Sequence, residues 1–112
     1  MHGGAQLSVT DMRSSARCPV DYNTIGDHLS LGEMELHICN ISNQGFMLDR
    51  CDSLERGHRI IVRLPVIGRI EGCCIWTHEK RAGFQFERII RPDVYAEMIA
   101  ELQPRARMRR PA

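Results

Sequence analysis

The sequence predicts a mainly β protein: a small antiparallel barrel or sandwich, preceded by a flexible N-terminal arm and closed by one C-terminal α-helix. Three observations lead there. Apolar residues alternate with polar ones in several short runs; glycine-containing turns separate those runs; and one later stretch changes to helical spacing. With 112 residues the chain has room for one domain and a modest core, and its 43% apolar and 26% charged residues are ordinary for a globular protein.

Residues 1–20 are poor in apolar periodicity and rich in Gly, Ser and Arg, so they are expected to form the arm. The domain proper is placed at 21–104. Its first strand, near Val20 to Ile25, is a weak signal because Asn23, Thr24 and Gly26 interrupt it. From Met34 the pattern sharpens: Met34, Leu36 and Ile38 alternate with Glu35, His37 and Cys39, which predicts a strand over Glu33 to Ile41 with one buried face. If that period continued, Asn40 and Ser42 would extend the inner row. A short strand follows at Gly45 to Asp49, and the polar "CDSLERG" connects it to "HRIIVRLP", where Ile60, Val62 and Leu64 share a face. A turn at Val66 to Arg69, centred on Gly68, leads into "RIEGCCIWT", and "KRAG" turns into "FQFERI".

In "RPDVYAEMIAELQP", Pro92 suits a first helical position and Asp93 the positive end of the helix dipole. Val94, Met98 and Leu102, with Tyr95 and Ile99 beside them, form one apolar stripe of the kind that packs on a core, and Pro104 stops the helix. The last segment, 105–112 (RARMRRPA), is a basic tail expected to be solvated and disordered. Its four arginines leave 11 of the 15 basic residues against all 14 acidic ones in residues 1–104, a net of −3. An acidic body with three Phe, two Tyr and one Trp argues against a nucleic-acid binder.

Five cysteines, an odd number without C-x-x-C spacing, suggest free thiols rather than a disulfide framework or a zinc site. No apolar run approaches the roughly 18 residues of a membrane span, and the N-terminus lacks the apolar core of a secretion signal. These features lead us to expect a cytoplasmic protein that does not act on membranes. The histidines are scattered, the carboxylates show no paired spacing and no nucleophile motif surrounds Ser42 or a cysteine, so no enzymatic activity is expected; each histidine is read as a surface or satisfied strand residue.

The stretch "CNISNQGFML", Cys39 to Leu48, interrupts its strand with Asn40, Ser42, Asn43, Gln44 and Gly45. By itself it reads as a hairpin turn. Ahead of it stands "RSSAR", with Arg13 and Arg17 four apart. Together, an RxxxR arm and an NxSxxG strand end resemble the signature of the PilZ family, and the likeness runs on through "GHRIIVRLPVIGRIEGCCIWTHEKRAGFQF", with Trp76 near a strand end and Gly83 opening the last strand. The resemblance implies the family's small β-barrel, and a site for cyclic di-GMP made by Arg13, Arg17, Asn40, Ser42 and Gly45, with no other cofactor and no catalysis. It implies further that the arm orders over the ligand and that a downstream protein partner receives the signal.

Those residue types suit that ligand. A guanidinium can fork a phosphate or a guanine edge and can stack on a base, whereas an amide and a hydroxyl can meet guanine's donors and acceptors. Two departures matter: Met12 stands where many family members carry another arginine, and Asn40 replaces the commoner Asp. They leave open a second reading, a PilZ-like adaptor that has lost nucleotide binding and works through protein contacts alone.

Overall fold

A computed structural model describes residues 17–102. Six antiparallel strands form a closed barrel, β1 (Cys18–His28), β2 (Gly32–Ile41), β3 (Gly45–Asp49), β4 (Arg59–Leu64), β5 (Gly68–His78) and β6 (Arg81–Phe86), followed by helix α1 (Pro92–Leu102). Around the barrel the order is β1-β2-β3-β6-β5-β4, with β1 and β4 pairing to close it. The expected barrel and its C-terminal helix are both present. Among the described residues no helix is long and apolar enough to cross a membrane. Arg13 and the basic tail lie outside the described residues.

Strands β2 to β6 lie where alternation puts them, because Leu36, Ile38, Leu48, Ile60, Val62, Ile70, Phe84 and Phe86 supply a continuous buried interior. The rings of Phe46 and Phe84 stack across the β3–β6 pair with centroids 5.0 Å apart, and Phe86 packs on Phe46 at 5.4 Å. Helix α1 brings Met98 and Leu102 into this core, and its Tyr95 hydroxyl donates to the carbonyl of Ile41 at 3.1 Å. The helix therefore sits where β2 ends.

Three features depart from the sequence pattern. First, β1 is longer than Val20 to Ile25 and starts inside the segment assigned to the arm. Its inner row includes Thr24 and Gly26: the Thr24 hydroxyl donates to the Arg63 carbonyl at 2.6 Å, and Leu36 fills the space a Cβ on residue 26 would need. A polar and a side-chain-free residue facing inward explain why the strand signal is weak. Second, the turn between β4 and β5 falls at Pro65 to Ile67, with Val66 itself in the left-handed region at φ 69°. Third, the β5–β6 hairpin turns on Glu79 and Lys80, both at positive φ (49° and 68°), with His78 paired to Arg81; this is the primed two-residue geometry that matches strand twist, made without glycine or asparagine.

Candidate functional site

The NxSxxG segment forms the end of β2, a tight turn and the start of β3. Period two does not carry through it. The ladder shifts register between Ile38 and Asn40, so Ile41, fully buried, continues the inner row after Ile38, and Asn40 does not. The expected alignment of Asn40 with Met34, Leu36 and Ile38 is thus corrected by a bulge at Cys39. Asn40 lies half-buried between Pro19 of β1 and Met47 of β3; its amide nitrogen approaches the Met47 sulfur at 3.9 Å, and its Oδ1 is buried without a partner among the described residues.

Ser42 is 6% exposed and folds the turn. Its hydroxyl accepts from the backbone N–H groups of Gln44 (3.1 Å) and Gly45 (3.2 Å), while its own N–H donates to the Gly45 carbonyl at 2.8 Å. The rest of the turn is tied down from outside: Phe86 N–H donates to the Gln44 carbonyl and Ile90 N–H to the Asn43 carbonyl, at 2.8 and 2.9 Å. The plain turn is therefore real, and Ser42 is its organiser. Replacing Ser42 by alanine should lower stability by about 1–2 kcal/mol, since two partly buried donors lose their acceptor; a urea titration measures it, and an unchanged midpoint would remove the hydroxyl from the turn.

Gly45 makes a close approach, but to the barrel itself. A Cβ there would sit 2.0 Å from the carbonyl oxygen of Phe84 on β6. The glycine is thus required by the neighbouring strand.

The turn nevertheless borders a groove of about 630 Å³ that Arg17 shares. The groove runs over β3, β6 and β5, and its lining includes Ser42, Gln44, Gly45, Trp76, Gly83 and Gln85. Among the described residues, Arg17 is the one charged residue of that lining. Trp76 is opposite Gly83 on the adjacent strand, and its indole lies so close over the glycine that an added Cβ would fall 2.1 Å from Nε1. One cation, a half-exposed indole and neutral amides make a surface that suits an anion carrying a flat ring.

Of the five residues singled out in the sequence, the structure brings Arg17, Ser42 and Gly45 to this groove. Asn40 is next to the turn but not in the lining, and Arg13 lies outside the described residues. Trp76, Gln44 and Gln85 join the site without having been singled out for it; only closure of the barrel in the order β3-β6-β5 sets Trp76 and Gln85 beside the turn.

A second polar cluster lies on the outer face across β1, β2 and β3. His37 Nδ1 is 2.6 Å from Asp49 Oδ1, and its Nε2 is 2.6 Å from Asp21 Oδ1. Bonds to these two carboxylates hold the histidine above its ordinary pKa, against partial desolvation. Burial pushes the thiols of Cys39, Cys51 and Cys74 up, away from reactive thiolate. Among the described residues no three His, Cys, Asp or Glu side chains are grouped to hold a metal ion. The sequence matches no model of a known protein family, and it matches none of the curated proteins.

Proposed function

We propose that this protein is a non-enzymatic cytoplasmic receptor for cyclic di-GMP, with the ligand held between the RxxxR arm and the groove at the end of β2. The observation that carries the reading is the meeting of Arg17 with the Ser42–Gly45 turn in one groove, although they are far apart in sequence. The ligand's phosphates suit the guanidinium, its guanines suit an indole face, and the lining amides can pair with a guanine edge. The arm carrying Arg13 would cover the ligand, and a downstream protein would read the covered state.

The test is a calorimetric titration of the full chain with cyclic di-GMP. Binding is expected, and Arg17→Ala should weaken it by about 1.5–3 kcal/mol, the worth of charge-assisted hydrogen bonds. Full affinity in that variant would take Arg17 out of the site.

One observation favours the adaptor reading: the Ser42 hydroxyl and the missing side chain of Gly45 both serve the fold, so the SxxG part of the pattern is needed even without nucleotide. Absence of any heat with cyclic di-GMP, from folded protein at concentrations well above the micromolar range, would decide for the adaptor.

A further inference from the structure

Two of the three breaks in the strand ladder lie close together. Pairing of β1 with β2 is regular at Cys18↔Ile41 and Pro19↔Asn40, then shifts before resuming at Tyr22↔Ile38; pairing of β2 with β3 shifts between Ile38 and Asn40. Val20 and Asp21 therefore lie where the β1 ladder is interrupted, a few residues after Arg17. A side-chain link crosses the same region. His37, whose side chain is 12% exposed, reaches Asp21 on β1 with one ring nitrogen and Asp49 at the end of β3 with the other.

A neutral imidazole has one donor nitrogen and one acceptor, whereas ionised carboxylates only accept. Short contacts from both nitrogens to carboxylate oxygens are satisfied together by the imidazolium alone. Loss of the proton must cost one of the two links. Asp21 is the more exposed of the two carboxylates, its side chain 83% exposed against 28% for Asp49.

We propose that His37 is a proton-operated latch that fastens the beginning of β1 to the β2–β3 pair and so sets how firmly Arg17 is held at the groove. Among the described residues, the charged groups facing it are Asp21 from β1 and Asp49 and Arg50 from the end of β3 and the turn beyond; Glu35, two residues away on β2, lines the same outer hollow. The two aspartates favour the proton and Arg50 opposes it. Because the folded-state value lies above the ordinary histidine value of 6.5, the latch contributes fully below pH 6.5, as long as the aspartates stay ionised. Its contribution is lost as pH rises through the raised folded value. The latch does not depend on which ligand the groove takes.

The experiment is nuclear magnetic resonance on the full chain, comparing wild type with D21N, D49N and H37Q. The His37 ring should titrate above the ordinary histidine value in wild type, and its midpoint should move down in D21N and in D49N. Hydrogen exchange of the Cys18, Val20 and Asp21 amides, compared with H37Q at matched pH, should be slower in wild type by roughly twofold to fivefold at pH 6, with the difference vanishing above the His37 midpoint. Should H37Q not fold, D21N serves as the comparison. A His37 midpoint that is the same in wild type and both aspartate variants would overturn the latch; so would a β1 protection ratio that does not change with pH.

Discussion

Ile41→Ala is expected to cost about 3–4 kcal/mol of folding stability, while Asn40→Ala, its neighbour, should change stability by less than about 1 kcal/mol. The contrast follows from the bulge. Ile41 is fully buried, its carbonyl receives the Tyr95 hydroxyl, and it sits where β2, the turn and helix α1 meet, so truncation leaves a cavity that fixed neighbours on three sides cannot fill. Among the described residues the Asn40 side chain makes only a long contact to the Met47 sulfur and its Oδ1 has no partner, so removing the amide forfeits little. A small domain has about 5–15 kcal/mol in total, so the first variant should show a midpoint lowered by about 12 °C or more in thermal unfolding. Strict alternation from Met34 would give the opposite ranking, with Asn40 inside and Ile41 outside; equal or reversed costs would place the bulge wrongly.

That contrast also marks where the sequence stops being legible. Alternation in "MELHI" and "RIIVRL" reports burial directly, because a strand with one wet face has to sort its side chains by period two. The helix is equally plain, since Val94, Met98 and Leu102 repeat at helical spacing. An inserted residue at Cys39 leaves no such trace: it flips the phase of everything after it, and a reader who extends the period assigns Asn40 to the wrong face. The length of β1 was hidden for a different reason, because Thr24 and Gly26 face inward through a hydrogen bond and a close packing contact rather than through apolar bulk. The turn at Glu79 and Lys80 escaped because neither residue is one that favours positive φ.

The candidate site divides along the same line. Arg17, Ser42 and Gly45 could be picked out because they stand in local patterns whose spacing is visible in one dimension. Trp76 and Gln85 belong to strands much later in the chain, and nothing in their own neighbourhoods says that β6 inserts beside β3. The sequence reads His37, like the other histidines, as either a surface or a satisfied strand residue; the structure satisfies it with two carboxylates from two other strands. Cross-strand partners depend on register, and register around His37 depends on two bulges that the residue pattern conceals, as register around Trp76 depends on a third.

Gly45→Ala should be destabilising by about 3 kcal/mol, at the upper end of what one inserted methyl costs in a packed interior. The obstacle is backbone. The new Cβ would fall 2.0 Å from the Phe84 carbonyl oxygen and 3.1 Å from its carbon, and Phe84 is paired with Phe46 on one side and Cys74 on the other. Neither rung can give way without opening β3–β6 or β6–β5, and the Phe46–Phe84 stack moves with them. Gly72→Ala provides the internal comparison: its Cβ would meet the Phe46 ring edge at 2.9 Å, a side chain that can tilt, so the cost there should be clearly smaller. Urea unfolding of both variants measures the difference. The ranking bears on the groove as well, because a Gly45 variant that unfolds would lose any ligand for structural reasons alone, and binding can be interpreted only in the fraction that remains folded. If Gly45→Ala were as stable as wild type, β3 and β6 could not lie as close as they do, and the glycine would be required for the groove instead of for the barrel wall.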